Sequence, residues 1–148
     1  MTVIATDGRS MASDGLVMQQ DTIIDLHSCK VQRLNTGGLY GSAGDCVIGD
    51  EIQAWLENPD RQEHEFPGRE DEPTRAIHLR QDGMIELYET GCGGHPVIVS
   101  APMAIGAGMD FAMAALDAGA SVERAVEIAI KRSPYCGGGI YRETLGTK

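Results

Sequence analysis

Of the three Asp-Gly dipeptides, Asp7-Gly8 and Asp82-Gly83 each lie between short runs of strand-forming residues, and this pairing constrains the fold more than any other feature. Asp-Gly accepts the left-handed backbone of a tight turn, so each dipeptide folds its flanking segments into an antiparallel hairpin. Thr2–Thr6 is therefore expected to pair with Ser10–Ser13, and Arg75–Arg80 with Met84–Glu89. Further strands are expected at Thr22–Leu26, Lys30–Leu34, Gly38–Ser42, Pro96–Ser100 and Met103–Ile105, with a last one running through Cys136–Tyr141. A helical period runs from Asp45 to Pro59, where Val47, Ile48, Ile52, Trp55 and Leu56 share one face. Two more helices are predicted at Met109–Ala118 and Val122–Arg132, the second with Ser121 as its N-cap. Strands, helix, strands, helices, strand is the order of neither βαβ units nor a bundle. It predicts an α+β fold with helices covering packed sheets.

The chain has 148 residues, the size of one domain, expected to span 1–148. Residues 59–74 are charged and aperiodic, and read as an exposed loop. Twelve Lys and Arg face 22 Asp and Glu, a formal charge of −10. That balance argues against binding nucleic acid, which needs clustered cations, and against docking on an anionic membrane. No apolar run is long enough to span a bilayer. The first residues lack the basic start and apolar stretch of a signal peptide, and the four cysteines are scattered, so free thiols and a cytoplasmic location are expected.

Two ligand motifs fail on spacing. Gly106-Ala107-Gly108 suggests a dinucleotide turn, but its third glycine would fall at Phe111, and no βαβ unit surrounds it. Cys92 and His95 stand at C-x-x-H spacing without a second close pair, so no metal is expected. The chemistry expected of the chain requires no cofactor.

That chemistry starts at Thr2. A small residue after the initiator permits removal of Met1, and an N-terminal Thr then carries nucleophile and base together. The hydroxyl attacks, while the α-amine, with an ordinary pKa of roughly 7.7–8.0, is neutral often enough to take its proton. Asp14, in Ser13-Asp14-Gly15, and Lys30, in Cys29-Lys30-Val31-Gln32-Arg33-Leu34, supply a carboxylate and a cation that could serve it.

With Gly41-Ser42-Ala43-Gly44-Asp45, Ala104-Ile105-Gly106-Ala107-Gly108 and Arg132-Ser133-Pro134-Tyr135-Cys136-Gly137-Gly138, these segments give five elements in a recognisable order. Together they resemble the N-terminal-nucleophile hydrolases of the proteasome β-subunit type, and the chain's shortness suggests the HslV-like branch. The resemblance runs from Thr2 to about Tyr141, with an interruption at 59–74. It implies a four-layer αββα sandwich and a threonine peptidase that assembles into homo-oligomeric rings, takes polypeptide substrates and is served by an AAA+ unfoldase. It also implies roles. Thr2 is the nucleophile, Lys30 lowers the pKa of its hydroxyl and Asp14 holds Lys30, while the Gly41 N–H forms the oxyanion hole. Ser133 and Cys136 stand beside the Thr2 amine.

The chain departs from this pattern in places. Family members carry Ser where Ala107 stands, Asp at Ser133 and Ser at Cys136, and they have a long helical hairpin where 59–74 lies. These departures support an alternative, a catalytically silent shell or assembly subunit that keeps the fold without turnover. A small-amide hydrolase using the same nucleophile is a third reading.

Overall fold

The protein's structure, a computed structural model, describes residues 2–69 and 71–146. The first hairpin joins β1 (Val3–Thr6) to β2 (Ser10–Asp14), with Ala5 opposite Ala12. Its turn is set by the Asp7 carboxylate, whose Oδ1 accepts from the Arg9 and Ser10 N–H groups at 2.9 and 2.7 Å. The second joins β7 (Arg75–Leu79) to β8 (Ile85–Glu89) in the same way, Asp82 accepting from the Met84 N–H at 3.0 Å. Both Asp-Gly turns thus make the antiparallel pairs expected of them.

The strands assemble into two main antiparallel sheets. One has the order β10-β1-β2-β11, where β10 is Met103–Gly106 and β11 is Ile140–Thr144. The other has the order β5-β6-β7-β8-β9, where β5 is Val31–Arg33, β6 is Leu39–Ala43 and β9 is Val97–Val99. A separate two-stranded ribbon is made by β3 (Val17–Gln19) and β4 (Thr22–Asp25). The sequence reading missed β3. It also began the last strand too early, because Gly137–Gly139 turns around the base of β2 before β11 starts.

Strand alternation divides the apolar residues among three cores. Val3, Ala5, Ala12 and Ala104 pack against α2 (Met109–Asp117) and α3 (Val122–Arg132) through Ala112, Ala115, Ala125 and Ala129. These small residues on both sides allow a close approach of helix to sheet. The intervening positions Ile4, Met11 and Ile105 face the second sheet, meeting Val31, Leu39, Ile77, Leu79 and Ile85. On that sheet's outer side, Tyr40, Ala76 and Tyr88 pack under Ile48, Ile52, Trp55 and Leu56 of α1 (Cys46–Glu57). The layers are therefore helices, sheet, sheet, helix, the αββα arrangement expected.

Caps match local chemistry. Asp45 accepts from the Ile48 N–H at 2.9 Å to start α1, and Ser121 accepts from the Arg124 N–H at 3.1 Å to start α3. Residues 59–69 are largely exposed but not loose. Trp55 Nε1 donates to the His64 carbonyl at 3.2 Å, and the Phe66 ring sits 5.1 Å edge-on from Trp55 and 5.6 Å stacked on Tyr88. No helix among the described residues is long and apolar enough to cross a membrane.

Candidate active site

Thr2 immediately precedes β1, and its main chain is fixed before its side chain is considered. The Gly108 N–H donates to the Thr2 carbonyl at 3.3 Å. Gly106, opposite Val3 in the β1–β10 pairing, has a φ of +95°, and a Cβ there would lie 2.1 Å from the Thr2 carbonyl oxygen. Only glycine fits that approach. The Gly106-Ala107-Gly108 turn is therefore built around Thr2, not around a dinucleotide.

Lys30, one residue before β5, reaches across from the other sheet. Its Nζ donates to Thr2 Oγ1 at 3.0 Å and to Asp14 Oδ1 at 2.9 Å. Asp14 ends β2 and is 0% exposed. Its Oδ1 also accepts from the Val3 N–H at 3.1 Å, and its Oδ2 from the Gly137 N–H at 3.1 Å. A carboxylate withdrawn from water is tolerable only when satisfied in this way, by one ammonium and two backbone donors. The Lys30 side chain is 11% exposed, so its charge acts on the Thr2 hydroxyl with little screening. A cation so placed favours the alkoxide over the alcohol.

Other residues singled out from the sequence lie at graded distances from this cluster. Cys136 is buried in the same core as Val3, and a Cβ on Gly108 would meet its Sγ at 2.8 Å. Burial pushes its thiol pKa up, and the nearby Asp14 charge adds to the rise. Ser133 caps the C-terminal end of α3 and accepts from the Tyr135 N–H at 3.2 Å, tying the bend that delivers Cys136 and Gly137. Gly41 lies within β6. It is paired with Val31 on one side and Ile77 on the other, and a Cβ on it would meet Ile4 at 2.8 Å. Its α-carbon thus faces the core between the sheets, while the next residue, Ser42, lines the cleft beside Thr2.

The cleft encloses about 370 Å³. It opens beside Thr2 and Lys30, with Leu16, Val17 and Met18 lining one part and Tyr40, Ser42, Asp50 and Gln53 another. The sequence reading missed these wall residues. The β3 segment carried the clearest signal, because Val17 and Met18 follow directly on the Asp14-Gly15 strand end.

The chain has a proteasome β-subunit-like, HslV-like fold, the αββα sandwich. Among solved structures it is similar to eukaryotic HslV from Trypanosoma brucei, with a TM-score of 0.66 over 99% of this chain and 100% of that one, at 16% identity. No protein-family model matches the chain, and neither does any curated protein sequence.

Proposed function

We propose that the chain is a threonine-dependent peptidase with Thr2 as nucleophile, exposed by removal of Met1, a residue that lies outside those described. The observation that carries this reading is the single ammonium of Lys30, 3.0 Å from Thr2 Oγ1 and 2.9 Å from Asp14 Oδ1. Lys30 lowers the pKa of the hydroxyl, and Asp14 holds Lys30 in place. The hydroxyl proton passes to the free α-amine as Oγ1 attacks a peptide carbonyl. The amine then protonates the leaving nitrogen as the C–N bond breaks, and water hydrolyses the resulting ester. Gly41 is assigned the oxyanion contact, and Ser133 and Cys136 the support of the amine. The reading extends to a homo-oligomeric ring with its clefts turned inward, polypeptide substrates delivered by an AAA+ unfoldase, and a cytoplasmic setting.

Two measurements test it. Intact mass of protein from its native host is expected to lack one methionine, since a retained Met1 locks the amine in a peptide bond. Thr2→Ala is then expected to abolish hydrolysis of peptide amides while the sedimentation of the assembly stays unchanged. A shell subunit without turnover would show no hydrolysis before the substitution either.

A further inference from the structure

Most polar groups around the cleft are already committed. Lys30 is held by Asp14, and the Tyr40 hydroxyl donates to the Gly49 carbonyl at 2.5 Å. Gln53 donates to Glu57 at 3.3 Å, and Asp45 caps α1 through the Ile48 N–H. Of the two described carboxylates that line the cleft, Asp45 and Asp50, only Asp50 is uncommitted. It projects from α1 into the wall of the cleft and makes no hydrogen bond or ion pair with any described residue. Its charge reaches the cavity, for it adds to the rise in the Tyr40 pKa that burial chiefly causes. Among the described residues Lys30 is the only Lys or Arg lining the cavity, and it is held by Asp14. The same cavity carries the apolar surface of Leu16, Val17 and Met18.

A ligand group that matches both features has an aliphatic stem and a cationic head, as lysine and arginine side chains do. We infer that Asp50 is the specificity-determining residue of the cleft, which selects peptides presenting a Lys or Arg side chain to it. This rests on the peptidase reading of the cleft and supplies its substrate class. The cationic head pairs with the Asp50 carboxylate while the stem lies along the Leu16–Met18 surface. The Lys30 ammonium is bonded to Thr2 and Asp14, and Asp50 stands apart on α1, so its role is in selection and not in the chemical step.

The test is a calorimetric titration of the full chain with N-acetyl-Ala-Ala-Arg-amide and with its citrulline counterpart, a peptide of equal shape without the charge. The arginine peptide is expected to bind about fivefold more tightly, as befits a partly solvated ion pair. The ratio is expected to fall towards one in Asp50→Asn and at high salt. A ratio of one in the unsubstituted protein, or a ratio that Asp50→Asn leaves unchanged, overturns the inference. Turnover of the corresponding anilides separates it from the reading beneath it. Hydrolysis that needs Thr2 but ignores the charge overturns the inference alone. Charge-selective binding that Asp50→Asn removes, with no hydrolysis of either peptide, overturns the peptidase reading alone.

Discussion

Asp14 concentrates more of the site's energetics than any other residue. Replacing it with Asn preserves its shape but leaves the Lys30 ammonium, 11% exposed, without its counter-charge. Asp14→Asn is therefore expected to lower unfolding free energy by about 3–5 kcal/mol in urea titrations, and to lower hydrolysis with it. The thiols offer a second check. Cys29 and Cys46 are exposed while Cys136 is buried with its pKa raised, so a maleimide is expected to label the first two and spare Cys136 until the protein unfolds. Peptide mapping of the adducts reads this directly. Thr2, Asp14 and Lys30 were legible in the sequence because their residue types and order carry a chemical logic. Asp50 and the Leu16–Met18 wall were not, because an exposed helix carboxylate and a short apolar run look ordinary until the fold sets them around the cleft beside Thr2.

At the scale of elements, legibility followed the strength of the local signal. Both Asp-Gly hairpins and the Ser121 cap were readable because a single side chain fixes each backbone. The β3–β4 ribbon turns instead at Gln20, which holds a φ of +54°, a conformation seldom given to Gln. With neither Gly nor Asn at that turn, no such residue marked where β3 gives way to β4. Across β7 and β8, His78 faces Glu86 with Nδ1 2.6 Å from Oε1. The hydrogen bond to His78 lowers the Glu86 pKa, against the opposing effect of desolvation. A carboxylate depressed in the folded state adds stability that is present above its unfolded pKa and is lost as pH falls through the folded value. Glu86→Gln is thus expected to flatten the decline of melting temperature below about pH 4.3. A decline as steep as that of the unsubstituted protein would show that this pair does not contribute.

The whole molecule is held by three cores that share their strands. Ile4 faces one core and its neighbours Val3 and Ala5 another, so neither layer can be lost without the next. The single tryptophan, Trp55, reports on the outermost core, under α1. Its fluorescence and the far-ultraviolet circular dichroism are expected to change together in one urea transition. Separate midpoints would mean that α1 and its loop unfold on their own. The pinning of that loop by Phe66 is a tertiary effect that charge and proline content concealed.

The carboxylate at the end of β2 also sets an order of events in time. Its three donors come from residues 3, 30 and 137, so the last of them is synthesised only when the chain is nearly complete. A nascent chain still short of Gly137 carries Thr2 and Lys30, but not the finished clasp that aligns them. The Thr2–Lys30–Asp14 cluster is thereby interlocked with completion of the polypeptide, because its last clasp is among the final residues to be made.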